Sequence, residues 1–208
     1  MAFAHLHVHS QYSLLDGLNT VQRIVEKAVA LGMPAVTLTD HGVMYGAVDF
    51  YNAAVAAKIR PIIGLEGYMA ASGMTYRDAK LDRHSTHLLM LAEDMTGYHN
   101  LLSLASVAQM EGFYYYPRVD HDTLAAHSKG LIVSSGCMSA ELPRKIQAGE
   151  FDEARKLISW YIDVFGRDNY YLELQHHDIP ELLAQNRTIV SFVKEFGLKL
   201  IATTMSIM

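Results

Sequence analysis

The sequence predicts an α/β fold, a seven-stranded β/α barrel of distorted TIM type in a single domain, and three observations predict it. Short apolar runs rich in branched residues alternate with longer helical patterns along the 208 residues, as in successive βαβ units. About seven such repeats favour a closed barrel over an open doubly wound sheet. Half of the residues are apolar (50%), enough for one sizeable core, while the length is short for two comfortable domains.

Taken in order, Phe3 to Val8 reads as the first strand. Thr20 to Leu31 reads as a helix with Thr20 at its N-cap, an apolar face of Val21, Ile24, Val25 and Ala28, and Gly32 as its stop. Ala35 to Thr39 is the second strand, Ala47 to Ala57 the second helix, and Arg60 to Leu65 the third strand, with Pro61 near its start where a missing donor is tolerated. After a polar excursion from Ala70 to Arg83, Thr86 to Ala92 is the fourth strand and Thr96 to Met110 a helix. Glu111 to Lys129 is aromatic and irregular, and Gly130 to Ser134 is the fifth strand. Helices at Ser139 to Ala148 and Phe151 to Phe165 lead to a sixth strand, Tyr170 to Gln175, a helix over Pro180 to Phe196, and a seventh strand, Lys199 to Thr203. Residues 1–203 make the domain and 204–208 an atypical tail.

The balance of 22 acidic and 17 basic residues, net charge -5, supplies no global positive field, so any contact with nucleic acid must be local. A single cysteine, Cys137, excludes an internal disulfide framework and leaves a thiol available to a metal. The start lacks a basic segment before an apolar one, and no apolar run reaches the roughly 18 residues of a membrane span. The expectation is a soluble, cytoplasmic protein without a membrane partner.

The chemistry gathers at strand ends. His5-Leu6-His7-Val8-His9 closes the first strand, and residues two apart point to one side, so His7 and His9 can share an ion. The second strand runs into Thr39-Asp40-His41-Gly42 and the third into Glu66. The fourth begins with Thr86-His87, the fifth leads to Cys137, and the sixth contains Glu173 and runs into His176-His177. Parallel barrels place functional groups at the C-terminal ends of strands. Nitrogen, oxygen and sulfur donors together suit zinc, or manganese or iron where carboxylates dominate. Phosphate-loop, dinucleotide-binding and nucleophile-elbow motifs are absent. Nothing local marks Cys137 as an activated nucleophile rather than a metal-bound or buried thiol.

His-Leu-His-Val-His-Ser, Tyr12-Ser13-Leu14-Leu15-Asp16-Gly17, Thr39-Asp40-His41-Gly42 and Gly112-Phe113-Tyr114-Tyr115 together resemble the PHP (polymerase and histidinol phosphatase) domain at the N-terminus of bacterial DNA polymerase III alpha subunits. Pro117-Arg118, Ser135-Gly136-Cys137 and Tyr171-Leu172-Glu173-Leu174-Gln175 continue the match in order. The resemblance implies a centre of up to three divalent ions, zinc first, with manganese or iron as alternatives. It implies that His7, His9 and a bridging Glu66 hold one ion, Glu66, His87 and Cys137 a second, and Asp16 with His41 part of a third. Glu66, His9 and His41 take the catalytic roles, and Asp40 orients a ligand histidine from behind. The implied chemistry is phosphate-ester hydrolysis, in the polymerases 3'-to-5' trimming of DNA. The implied partners are therefore a DNA 3' end or a nucleotide phosphate, and the rest of a replicative polymerase. Arg118 and Arg144 are candidate phosphate holders, because a guanidinium fork matches phosphate oxygens.

One segment departs from the pattern. The family's last strand runs into an Asp and a His that complete the site, whereas here Met205 and Ile207 stand at those places. A thioether is a poor ligand for a hard ion and isoleucine is none. The first ion would lack its aspartate and the third its histidine, so the sequence reads as a truncated or frame-shifted chain with an impaired site. Two other readings stay open: a non-catalytic scaffold barrel, and a free-standing histidinol-phosphatase-like phosphoesterase.

Overall fold

Ten residues of one strand, β2 (Arg60–Met69), organise the sheet. In the computed structural model, which describes residues 3–14, 16–176 and 179–203, the first half of β2 pairs in parallel with β1 (Ala35–Leu38), Val36 opposite Pro61. Its second half pairs in parallel with β4 (Arg118–Val119), Tyr68 opposite Arg118. Along its other edge runs β3 (Thr86–Ala92), followed by β5 (Leu131–Ser134), β6 (Tyr170–Gln175) and β7 (Lys199–Thr203), giving the order β1-β2-β3-β5-β6-β7. Leu15, His177, Met205 and Ile207, which the sequence reading drew on, lie outside the described residues.

The helices form as their patterns dictate. Thr20 accepts the Arg23 amide at the start of α1 (Val21–Ala30), which buries Val21, Ile24, Val25 and Ala28. Together with α2 (Ala47–Ala56), α1 covers β1 through a cluster that includes Phe50, Val36 and Leu38. Asp94 caps α3 (Met95–Met110) by accepting the Gly97 amide. This helix, with α5 (Glu141–Gln147), α6 (Phe151–Phe165) and α7 (Pro180–Phe196), covers the rest of the sheet over a second, larger core centred on Met90, Leu101, Leu131, Ile158 and Phe192. All are within a few per cent of complete burial, and each large aliphatic side chain contributes roughly 1.5–3 kcal/mol on leaving water.

The fold class holds, with three differences of detail. First, β3 is antiparallel to both neighbours, Gly64 opposite Leu91 and Leu89 opposite Ser134. The excursion between β2 and β3 contains no helix, so the chain turns back instead of crossing over. Second, Phe3 to Val8 forms no regular strand; the Val8 amide donates to Thr39 Oγ1 and its carbonyl accepts from the Thr39 amide. Among the described residues the sheet is curled and no ladder joins β7 to β1. The histidine segment is held to the end of β1 by Thr39 and Asp40 and to β6 by Glu173. Third, the irregular stretch after α3 contains β4 and a short helix, α4 (His121–Ala126), capped by Asp120. Two residues of strand and six of helix are too short to show a period in the sequence.

Arg118 explains part of the third difference and corrects its sequence reading. The residue is fully buried, and its guanidinium donates to the carbonyls of Gly112, Asp82, Met74 and Tyr76. It ties the two non-helical excursions to β4 and leaves no solvent-facing donor for a phosphate. Gly112 is required there: a Cβ would lie 1.8 Å from the Arg118 carbonyl oxygen. Replacing Arg118 by Met strands these carbonyls, and Lys cannot fork between them. Both variants are expected to lose about 3 kcal/mol or more in urea unfolding, and an Arg118→Lys chain as stable as the parent would overturn this role.

Candidate metal centre

Glu66 sits on β2 with no exposed surface, and four histidines converge on its carboxylate. His7 Nε2 is 3.3 Å from Oε1, His87 Nδ1 3.1 Å from Oε1, His9 Nε2 3.3 Å from Oε2 and His41 Nδ1 2.9 Å from Oε2. Cys137 Sγ lies 3.6 Å from Oε1 and 3.5 Å from His87 Nδ1. Asp16 Oδ2 is 2.9 Å from His41 Nε2.

These distances come from local structure. His87 opens β3 opposite Tyr68, so the antiparallel turn brings a strand beginning to the same sheet end as the carboxyl half of β2. His41 is held by a bridge to Glu66: the Glu66 amide donates to the Asp40 carbonyl and the Gly42 amide to the Glu66 carbonyl. The turn closes through Gly42 at φ 64°, where a Cβ would lie 2.6 Å from Pro117. Cys137 follows β5.

The pairing pattern is one that could hold a metal ion. His7 Nε2, His9 Nε2, His41 Nδ1 and Glu66 Oε2 are buried polar atoms without a hydrogen-bond partner, although each is close to a neighbour. Buried polar atoms without a partner are otherwise costly. Three overlapping triads keep their ligand atoms within 4.8 Å: His7-His9-Glu66, His9-Asp16-His41 and His41-Glu66-His87. The first is the trio expected for one ion. The second joins His9 to the Asp16–His41 pair, and the third joins His87 and Glu66 to His41, with Cys137 in none of the three.

Behind the ligands lie groups that set their orientation. Asp40, buried, accepts from the Ser10 amide and from the hydroxyls of Ser10 and Ser13, and Ser13 Oγ is 3.5 Å from His9 Nδ1. Its action on a histidine thus runs through Ser13. Glu173, to which the sequence reading gave no role, accepts from His7 Nδ1 at 3.1 Å and from the hydroxyls of Ser134 and Thr203. A carboxylate on one imidazole nitrogen fixes the tautomer and turns the other nitrogen to the metal side. The signal was an acidic residue in the Tyr171-Leu-Glu173-Leu-Gln175 alternation, on the face that points into the barrel. Arg144 is exposed and lines a recess of about 380 Å³ with Asp16, His41, His84, His87 and Tyr116. A larger cavity, about 490 Å³, lies between α2 and α3 and is lined by no histidine or cysteine.

Electrostatics follow from burial against charge. Burial favours neutral His7, but Glu66 and Glu173 outweigh it and raise its pKa to about 10. At His9 burial wins, helped by His41 and His7, and its pKa falls to about 4. Burial opposes the charged form of Glu66, yet His7 above all holds its carboxyl well below the usual range. Burial, then the negative charge of Glu66, pushes the Cys137 thiol up. A thiol so raised is not an activated nucleophile.

The sequence profile of the PHP domain family matches residues 5–177. The chain belongs to the PHP domain family. It is 46% identical over 96% of its length to the DNA polymerase III subunit alpha of Borreliella burgdorferi, 41% over 97% to that of Deinococcus radiodurans and 42% over 98% to that of Thermus aquaticus. This PHP domain spans only 16–17% of the length of those relatives. Among solved structures, one from Bifidobacterium adolescentis described as a metal-dependent phosphoesterase superposes with a TM-score of 0.62 at 15% identity, covering 99% of this chain and 87% of that one. An amidohydrolase from Chromobacterium violaceum superposes at 0.57, also at 15% identity. Both share the fold of the PHP domain. No helix among the described residues is long and apolar enough to cross a membrane.

Two measurements follow. In the metal-free chain His7 carries a raised pKa, so its contribution to stability is complete below the ordinary histidine value of about 6.5 and is lost as pH rises through about 10. His9, held neutral, withdraws stability as pH falls from about 6.5 toward about 4. Urea midpoints under chelation are therefore expected to peak near pH 6.5, and a maximum above pH 9 would refute the assignment. Replacing Glu173 by Gln is expected to weaken metal retention by roughly 10–100-fold in chelator competition, through loss of His7 orientation.

Proposed function

We propose that this PHP domain is a divalent-metal phosphoesterase site acting on the phosphate of a DNA 3' end or a nucleotide, as part of a replicative polymerase in the full-length relatives. The observation that carries it is the set of orphaned, buried ligand atoms of His7, His9, His41 and Glu66. The names of the relatives and of the Bifidobacterium neighbour support the direction but concern those proteins.

His7, His9 and Glu66 would hold one ion, Glu66, His87 and Cys137 a second, and Asp16, His41 and His9 a third. The mixed nitrogen, oxygen and sulfur set suits zinc, with manganese or iron as alternatives. Ions bound there would lower the pKa of water and neutralise charge developing on the phosphate. The chain's own residues do the rest. Glu66 supplies negative charge that no solvent screens. Glu173 and the Asp40–Ser13 pair fix imidazole orientation, and His7 gives up its proton on metal uptake. Arg144, which lines the recess, would hold a phosphate oxygen.

Met205 and Ile207, standing where the family pattern has an aspartate and a histidine, favour a second reading in which the domain is a metal-poor scaffold for the polymerase. Elemental analysis of the purified chain separates the two. Under the first reading it retains at least one ion per chain. Glu66→Gln then loses all of them and lowers phosphodiester hydrolysis at least about 100-fold. Restoring the ligands with Met205→Asp and Ile207→His raises both occupancy and rate. A parent and a restored chain that are equally metal-free would sink the phosphoesterase reading in favour of the scaffold.

A further inference from the structure

Two excursions without helix cover, residues 70–85 and 111–117, supply His84, Ser85 and Tyr116 to the recess that His41 and His87 also line. Phe113, Tyr115 and Tyr116 are 52%, 55% and 44% exposed, three large aromatic rings within four residues of sequence, a grouping that marks a binding surface. They are built into place: Tyr115 adopts φ 60°, rare for a side chain with a Cβ, while Tyr114 bridges to Tyr116 and Arg118 clamps the loop from below.

The aromatic surface continues inward. The Tyr116 ring lies 4.7 Å from Tyr68, and Tyr68 lies 5.9 Å from His41 and 5.3 Å from His87. Cations flank it. Arg83 Cζ is 5.6 Å from the centre of the Tyr115 ring, and Arg144 is exposed with no ion pair among the described residues. Nearby carboxylates are engaged. Asp78 caps the amides of Lys80 and Leu81, Asp82 is buried accepting the Asp78 amide, and Glu141 binds His121 and Tyr161. The recess also adjoins a second one of about 340 Å³ at His84 and Arg144, more room than a single phosphate ester needs.

Resting on the phosphoesterase reading, we propose that Phe113, Tyr115 and Tyr116 with Arg83, His84 and Arg144 form a platform for an unpaired polynucleotide strand, whose end it feeds toward Glu66. Exposed ring faces accept unstacked bases of any sequence, and guanidiniums track phosphates. A paired duplex presents no free base faces to the rings. A local platform of this kind also reconciles strand binding with a net charge of -5.

The test is fluorescence anisotropy of the full chain with labelled oligodeoxythymidine and with a blunt duplex of equal length, in chelator so that no hydrolysis intervenes. The single strand is expected to bind at least about ten-fold tighter than the duplex. Tyr115→Ala and Tyr116→Ala should each weaken it about ten-fold without changing thermal unfolding or metal content, whereas Tyr116→Phe should retain binding. Arg144→Ala should lower the slope of log affinity against log salt by about 0.7. Equal affinity for strand and duplex, or alanine variants that bind like the parent, would overturn the platform even where the chain holds metal. Strand binding lost in these variants, in a chain that never retains metal, would keep the platform and remove the phosphoesterase reading beneath it.

Discussion

The burial of the Glu66 carboxylate at the centre of the curled sheet is the constraint on which the remaining structure depends. An ionised carboxylate with no exposed surface is tolerated only when opposite charge or metal surrounds it. The surroundings are supplied from β2's neighbours: His41 by the bridge beside β1, His87 by β3, His7 and His9 by the segment held to the end of β1. Each histidine is in turn held by a residue behind it or by backbone. Removing the charge at the centre would leave the others without a common partner.

That arrangement accounts for departures from regular structure around it. A parallel β3 would begin at the far end of the sheet and carry His87 away, whereas the antiparallel strand delivers it. A fully laddered first strand would bond its backbone on both edges. The segment instead engages Thr39 and Asp40 through side chains, which leaves His7 and His9 facing Glu66. The two apolar clusters behind the sheet supply the stability that a buried charged cluster does not. Among the described residues, four of the ten buried side-chain polar atoms without partners belong to this one cluster, as expected where function overrides local satisfaction.

Arg118 and Arg144 show how identical residue types diverge with position. Both are arginines near the aromatic loop. One is fully buried and donates to backbone carbonyls, so it ties the two excursions together; the other is exposed on α5 and lines the recess. Nothing in Pro117-Arg118 or Pro143-Arg144 distinguishes them as sequence. The difference lies in the element each occupies, β4 in the interior for Arg118 and the surface helix α5 for Arg144.

The amino-acid sequence by itself determined the elements with strong periodicity. Phe151–Phe165, Tyr170–Gln175, Pro180–Phe196 and Lys199–Thr203 run where their patterns end, because capping residues and apolar spacing are local properties. It also determined the ligand types, since His-x-His, Asp-His-Gly and a strand-end glutamate are legible as donors. Tertiary structure decided the direction of β3, the irregular course of Phe3 to Val8, the place of Arg118, and the role of Glu173. The direction of β3 depended on whether the chain crossed over or turned back after β2, and Glu173 on which side chain met it across 166 residues of sequence. Contacts of that range are set by packing of the whole sheet, and no local pattern encodes them.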